Sequence, residues 1–358
     1  MPPQKPKHKV LSLEEELQIA STLAMTHPSE RPLNQQQSSR DIKKKMKEAC
    51  RLCEYCRQRE SKDEPFKACA KCQSSFYCSK ECQRVDWPEH KTICAQSQRH
   101  KRLEKLATTL TANVNLFDYL KLAIVLNLDL LNSSPTELFT VLVPLVVEPE
   151  DILDFARLRG QLPPSTTTLS TEKPAGMLQV GGILPSPPGL LSEESVLELT
   201  SNARAERDAS WSAEEAPVGV IVFVLGNMDT RSSIDAPVII PPHVMKMAKK
   251  AQPFKQNVPT ASGCLLHPMD QYSCIEYINT SIRLDKENQF LLRREMTPSD
   301  VQIIRTSATK FDRFLDVNFP CILIQRRMQT EFIYRPLLDK STSDFGPSTE
   351  IHVCNLTR

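Results

Sequence analysis

Cysteines and one histidine recur at short intervals in the segment YCSKECQRVDWPEHKTIC, which runs from Tyr77 to Cys94. Two C-x2-C pairs precede it, so the series contains eight potential metal ligands: Cys53, Cys56, Cys69, Cys72, Cys78, Cys82, His90 and Cys94. Thiolates and imidazole in this proportion select zinc over magnesium or calcium. Eight ligands complete two four-coordinate shells and leave no open position for a reactive water. The series therefore predicts two structural zinc ions.

The spacing of the last four ligands indicates helical structure. They form two pairs, and the members of each pair stand four residues apart, so that they share one face of a helix. Between the pairs, Asp86 has the side chain of a helix cap, and Pro88 and Glu89 suit a first turn. We therefore expect two short helices, the second of which begins after Asp86.

The spacing of the ligands alone leaves two questions open, namely how they divide between the two ions and which cysteines form the first pair. The eight ligands can divide between two ions in sequential or in interleaved order, since both lie within reach of the chain. Cys50 also precedes Cys53 by three residues, so these two could form the first knuckle in place of Cys53 and Cys56. Disulfide pairing is disfavoured, because the cysteines cluster in a chain that begins without a secretion signal.

The ligand order, together with the stretch CQRVDWPEHK, resembles a MYND-type zinc finger from about Cys53 to Cys94. The resemblance implies interleaved shells, and it pairs Cys56, not Cys50, with Cys53. One zinc would be held by Cys53, Cys56, Cys78 and Cys82, and the other by Cys69, Cys72, His90 and Cys94.

The same resemblance implies a protein partner. MYND fingers are protein-interaction modules that take proline-rich peptides of the PxLxP kind, and the groove positions correspond here to Gln83 and Trp87. An indole face packs well on a proline ring, and a side-chain amide can hold the backbone of an extended peptide. The alternatives are a Trp87 that only packs beneath the finger and a Gln83 that contacts nothing.

An enzyme is the competing interpretation, because some MYND proteins carry a SET methyltransferase domain. The Asn-His pair and the post-SET cysteine cluster of that domain are missing from this sequence. We also find no G-x-S-x-G elbow, P-loop or dinucleotide fingerprint. The sequence therefore favours an adaptor or regulatory protein, and an unrecognised active site in the C-terminal domain remains the alternative.

Three regions follow from the pattern along the 358 residues. Residues 1–40 are expected to be mostly disordered, with a short helix near 12–25, and residues 50–94 form the finger. Residues 101–358 are expected to form a larger α/β or α+β domain with a flexible loop near 161–192. This larger part resembles the C-terminal region of fungal MYND-domain-containing proteins, which brings no activity with it.

The larger domain is predicted from three apolar segments. Residues 115–131 are apolar on nearly every face, as a buried helix would be. Residues 138–148 and 218–226 are short, rich in valine and isoleucine and bounded by breakers, as strands covered on both faces are.

Composition limits the partners. A net charge of +2 gives no strong electrostatic footprint, so nucleic-acid binding is not expected. No apolar run approaches the roughly 20 residues of a membrane span, and the N-terminus lacks the apolar core of a signal peptide. We therefore expect an intracellular protein without a membrane partner, in the nucleus or the cytoplasm.

Overall fold

The computed structural model describes residues 11–30, 37–48, 52–61, 63–72, 75–94, 97–132, 137–164, 174–226, 233–257, 264–308 and 319–338. Of residues 1–40, which are expected to be mostly disordered, 1–10 and 31–36 lie outside these residues, and so does Cys50 with its alternative role. None of the helices in the described ranges has the length and apolar character needed to cross a bilayer.

The helices in these ranges are α1 (Leu13–Ser21), α2 (Ser39–Glu48), α3 (Lys80–Cys94), α4 (Ser97–Ala112), α5 (Val114–Asn127), α6 (Ile152–Leu158), α7 (Glu193–Asp208), α8 (Pro242–Lys250), α9 (Gln271–Leu284), α10 (Pro298–Thr306) and α11 (Phe319–Thr330), followed by a 3-10 helix at Phe332–Leu337. The strands are β1 (Met25–Thr26), β2 (Lys67–Ala68), β3 (Phe76–Tyr77), β4 (Phe139–Pro149), β5 (Ala175–Val180), β6 (Leu184–Pro185), β7 (Val218–Leu225), β8 (Ile234–Ile239), β9 (Phe254–Asn257), β10 (Cys264–His267) and β11 (Arg293–Glu295).

A mixed sheet organises the larger part of the chain. Its strand order is β11-β5-β4-β7-β8, and β6 pairs separately with β4. The central strands β4 and β7 run parallel, from Phe139 opposite Gly219 to Leu145 opposite Leu225, whereas their other neighbours are antiparallel. Both central strands are buried along nearly their whole length, as their valine-rich sequences predict. The larger domain is therefore a mixed helix and sheet domain, as expected.

The two faces of the sheet pack against different layers. One face joins the main core, which also contains α4, α5, α6 and α9. The other face forms a smaller apolar cluster of Leu142, Leu199, Val220, Val222 and Val224, in which Leu199 belongs to α7. Side chains alternate between the faces of a strand, so a continuous apolar run supplies both clusters at once.

The structure differs from the sequence-based interpretation in the region 161–192. Strand β5 lies there, between β4 and β11, although AGMLQV carries a glycine and a glutamine in place of a β-branched run. Gln179 is fully buried in this strand because its side chain joins a polar network inside the core. The proline-rich stretch that follows contributes β6, and Leu190 and Leu191 pack on the smaller cluster.

The described N-terminal residues pack onto the larger domain. Ser12 and Glu15 form a capping box at the start of α1, in which the Ser12 N–H donates to the Glu15 carboxylate at 2.9 Å and the Glu15 N–H donates to the Ser12 hydroxyl at 3.2 Å. Leu17 is fully buried on α1, and Met25 in β1 pairs with Gln256 in β9. Burial of these apolar side chains gives the segment a fixed position.

A buried network of charged and polar side chains connects β4, α9 and α11. Glu148 contacts Arg327, lies 3.6 Å from Arg283 and accepts a hydrogen bond of 2.5 Å from the Tyr334 hydroxyl. Arg327 also donates to Glu331 at 2.6 Å. Each charge has an opposite partner, which offsets the cost of removing it from water.

Candidate metal centre

The first C-x2-C pair lies in a tight turn. The backbone N–H of Cys53 donates to the Gln58 carbonyl at 2.8 Å, and the N–H of Arg57 donates to the Cys53 carbonyl at 2.9 Å. Arg57 has a φ of 57°, in the left-handed region. This reversal of the chain brings Cys53 and Cys56 to the same side of the turn, as a shared metal ion requires.

The second pair lies at the end of a short hairpin. Strands β2 and β3 are antiparallel, with Lys67 opposite Tyr77, and Cys69 follows β2 directly. The Cys69 N–H donates to the Ser75 carbonyl at 2.9 Å. Cys69 and Cys72 are therefore held in the connection between the two strands.

The remaining ligands lie on or just before α3, and here one expectation is wrong. Lys80–Cys94 is a single helix that contains Pro88, so Asp86 does not cap a second helix. The Asp86 carboxylate accepts a hydrogen bond of 2.6 Å from the Tyr77 hydroxyl, which attaches the hairpin to the helix. Burial, and then this hydrogen bond to Asp86, raise the pKa of Tyr77, so the phenol stays protonated and donates.

The structure brings the eight predicted ligands together in two groups of four. The first is Cys53, Cys56, Cys78 and Cys82, and the second is Cys69, Cys72, His90 and Cys94. Within each group all the ligand atoms lie within 4.8 Å of one another. The grouping is interleaved, since each ion would receive one C-x2-C pair and one pair from the second half of the finger.

The distances within the groups fit tetrahedral zinc. Bonds of about 2.3 Å to sulfur place two thiolates about 3.8 Å apart in a tetrahedron. The sulfurs of Cys56 and Cys78 are 3.5 Å apart, and those of Cys69 and Cys94 are 3.9 Å apart. A disulfide would need about 2.05 Å. Two structural zinc ions therefore fit the donor sets and their geometry.

His90 shows which nitrogen would face the metal. Its Nε2 atom lies 3.5 Å from the Cys72 sulfur, and its Nδ1 atom lies 3.2 Å from the Ser75 hydroxyl. With Nε2 on zinc, Nδ1 carries the proton and donates a hydrogen bond to the Ser75 hydroxyl. This hydrogen bond orients the ring. Sequence reasoning missed Ser75, because a serine in a loop carries no spacing signal of its own.

Backbone N–H groups favour the thiolate form at Cys53 and Cys69, whereas burial raises the pKa of Cys56, Cys78 and Cys94. Burial alone would raise the pKa of Cys53, but hydrogen bonds from the backbone of Cys56 and Cys78 outweigh it and lower the pKa to about 7. Burial is likewise outweighed at Cys69, where the Cys72 backbone N–H and His90 bring the pKa to about 6. A bound divalent cation would deprotonate all the thiols, since the thiolate is the form that ligates metal.

Gln83 and Trp87 lie on the same helix as these ligands. The Trp87 indole is 43% exposed, and its ring centroid lies 5.8 Å from that of His90. Gln83 is half-buried. Val85 and Tyr55 are also exposed, at 54% and 50%, so the finger presents large apolar side chains to solvent.

Two closed Cys/His clusters, built on a knuckle, a hairpin and a helix, define a zinc finger of the MYND class. A family model described as MYND finger matches residues 50–94. A second, described as Domain of unknown function (DUF8205), matches residues 98–316, more than half of the chain. The chain therefore belongs to the DUF8205 family and carries a MYND finger, which is a zinc-binding protein-interaction module.

Similarity to curated proteins covers the finger alone. The human N-lysine methyltransferase SMYD2 is 46% identical over 43 residues, which are 12% of this chain and 9% of that protein. The human Egl nine homolog 1 is 48% identical over 46 residues, 13% of this chain and 10% of its own length. The chain thus spans about a tenth of the length of these relatives. No solved structure matches it significantly.

Proposed function

We propose that this protein is an adaptor or regulatory protein that recognises proline-containing peptides through its MYND finger, with Gln83 and Trp87 as the contact residues. The observation that carries the proposal is the exposure and packing of the Trp87 side chain. Its indole is 43% exposed yet lies against His90, so a large apolar surface is displayed in a fixed position. Exposed aromatic groups that are held in place bind with little loss of side-chain freedom.

The proposed contacts follow from ordinary peptide chemistry. A proline ring can stack on the flat indole face, and the rigid extended form of a proline-rich segment costs little entropy to bind. The Gln83 amide has both a donor and an acceptor for the peptide backbone. Gln83 and Trp87 stand four residues apart on α3 and so share one face of the helix.

Zinc has a structural role in this proposal. The two shells, with the ligand sets grouped above, connect the knuckle, the hairpin and α3, so the ions hold the peptide-binding face rigid without taking part in chemistry. The proposal assigns recognition to residues 50–94. It assigns no activity to the domain at 101–358.

The chain supplies its own control for a binding experiment. It has two tryptophans, and Trp211 is 40% exposed outside the finger. We expect the full-length, zinc-loaded protein to bind a fluorescently labelled PxLxP peptide, measured by fluorescence anisotropy. Trp87→Ala should weaken this binding by about 2 kcal/mol, roughly thirtyfold, as loss of an aromatic anchor does. Trp211→Ala should leave the affinity unchanged.

Two further measurements make the result specific. The zinc content of Trp87→Ala must remain at the wild-type level, so that lost binding is not lost folding. Gln83→Ala should weaken binding by about 1 kcal/mol, the net value of an ordinary hydrogen bond. The proposal fails if the wild type does not bind the peptide, or if the Trp87 and Trp211 variants behave alike.

A further inference from the structure

A cleft in the larger domain shares no residue with the finger. It has a volume of about 390 Å³ and lies between the first turns of α4, the carboxyl end of β7 and the start of α10. Small-molecule sites commonly have volumes of about 300 to 1,000 Å³. The cleft is therefore large enough for a metabolite.

The one acidic group in the described lining of the cleft is already neutralised. The Asp300 carboxylate lies 2.7 Å from the Arg102 guanidinium. It also accepts hydrogen bonds from the backbone N–H and the hydroxyl of Thr297, at 2.6 and 2.7 Å. Arg102 donates in addition to the Glu295 carbonyl at 3.2 Å. These groups form a closed structural unit and contribute little net charge.

Arg99 differs from Arg102 in its partners. Its Nη2 atom donates to the Leu225 carbonyl at 2.6 Å, at the end of β7. Across the described ranges, no carboxylate forms an ion pair with Arg99. A guanidinium has five N–H donors, and a neutral carbonyl satisfies one of them without compensating the charge. Arg99 is half-buried, so water screens this charge only in part.

The surroundings of the cleft add to the positive potential. Burial, and then the charge of the neighbouring Arg102, lower the pKa of Arg294. The Nε atom of Arg294 is buried and has no hydrogen-bond partner in the described part of the chain. Arg294 thus lies within electrostatic range of Arg102, although it does not line the cleft.

The position in the fold also suits a ligand. Strands β4 and β7 are parallel, and the cleft opens at the carboxyl end of β7, where open α/β sheets bind their ligands. Gly226 leaves the strand with a φ of 69°, a conformation that favours glycine. The exposed Ser299 lines the opposite wall and has a hydroxyl that can donate to a ligand.

We propose that this cleft binds a small organic oxyanion, a phosphate ester or a carboxylate, through the guanidinium of Arg99 and the hydroxyl of Ser299. The planar fork of arginine matches both anionic groups, and such charge-assisted hydrogen bonds are the strong ones. This site is independent of peptide binding by the finger. It gives the larger domain a ligand-binding role, and α4 begins only three residues after the last zinc ligand, Cys94.

Calorimetric titration of the full-length, zinc-loaded protein at constant ionic strength tests the site. The probes are AMP as a phosphate ester, citrate as a carboxylate, and adenosine as the neutral counterpart of AMP. We expect AMP or citrate to bind and adenosine not to bind, and the stronger of the two anions identifies the class. Arg99→Gln should weaken binding at least about tenfold, as loss of a charge-assisted pair does.

Two other variants separate the site from general charge effects. Arg305→Gln removes the same charge from an exposed position at the far end of α10 and should leave binding unchanged. Ser299→Asp introduces a carboxylate into the cleft at a first-turn position that tolerates acidic residues, so it should abolish binding without unfolding the protein. Absence of AMP and citrate binding, equal affinity for adenosine, or equal losses in Arg99→Gln and Arg305→Gln would each overturn the proposal. If Arg99→Gln does not fold, the Ser299→Asp variant decides the test, and anion binding that is retained in this variant would overturn the proposal.

Discussion

Removal of one hydroxyl group should weaken one zinc site and leave the other intact. Ser75 and His90 are both buried, and the Ser75 oxygen lies 3.2 Å from the Nδ1 atom of His90. Ser75→Ala leaves the Nδ1 proton buried without an acceptor, which costs about 1 to 3 kcal/mol. Loss of such a partner of a metal-bound histidine weakens metal binding about 10- to 100-fold. The two estimates agree, since that range corresponds to roughly 1.4 to 2.7 kcal/mol.

The assay is a competition for zinc between the protein and a chromophoric chelator at constant pH. We expect the wild type to release two zinc ions per chain in two resolvable steps. Ser75→Ala should lower the zinc affinity of the site that contains His90 by about 10- to 100-fold. The zinc affinity of the four-cysteine site should not change. Ser61→Ala is the matched control, because Ser61 is exposed in the same finger and its hydroxyl accepts a hydrogen bond from the Glu64 backbone N–H.

The outcome can refute the reasoning in two ways. An unchanged affinity at both sites would mean that Ser75 does not orient His90. Equal weakening of both sites would mean that the hydroxyl stabilises the finger as a whole. A zinc content well below two per chain in the wild type would remove the two-site description itself.

Two predictions concern the larger domain. Glu148→Gln removes the buried partner of Arg327 and should lower the free energy of unfolding by about 3 to 5 kcal/mol in urea titrations. In contrast, Glu150→Gln, at a partly exposed ion pair, should cost at most about 1 kcal/mol, and similar losses would contradict the assigned burial. Burial raises the pKa of Glu276, which accepts from the Phe332 N–H, to about 8. The stabilisation by this protonated carboxyl is complete below its ordinary pKa of 4.5 and is lost as the pH rises through about 8. Stability should therefore fall by at most about 1.4 kcal/mol per pH unit between pH 5 and 8, and Glu276→Gln should flatten this slope.

Local signals in the sequence were sufficient where the neighbouring residues decide the structure. Capping boxes form at Ser12 with Glu15 and at Thr297 with Asp300, where both partners lie within one turn and can be read from the sequence pattern. The same kind of pattern at Ser273 and Glu276 does not mark the start of α9, since Asp270 caps this helix.

Long-range contacts explain the elements that sequence patterns missed. Strand β5 has few residues that favour strands. The cost of burying Gln179 in it is offset by hydrogen bonds from Arg283 and Arg327, which lie more than 100 positions away in the sequence. Asp86 has the side chain of a cap, yet it accepts from Tyr77 and α3 continues through Pro88. Such partners cannot be recognised from a window of neighbouring residues.

The sequence by itself determined the number and chemical type of the metal ligands, and hence two closed zinc shells, because coordination preference depends on residue type and short spacing. Ligand spacing left the division between the two shells open, and the tertiary structure shows the interleaved order that the family resemblance implied. Only the tertiary structure shows that Tyr77 donates to Asp86 across the hairpin and α3, and that the Ser75 hydroxyl lies within reach of His90. The cleft beside Arg99 also exists only in the folded chain, since its walls come from α4, β7 and α10, which are far apart in sequence. Ligand spacing is a local property, whereas a cavity and its uncompensated charge are properties of packing.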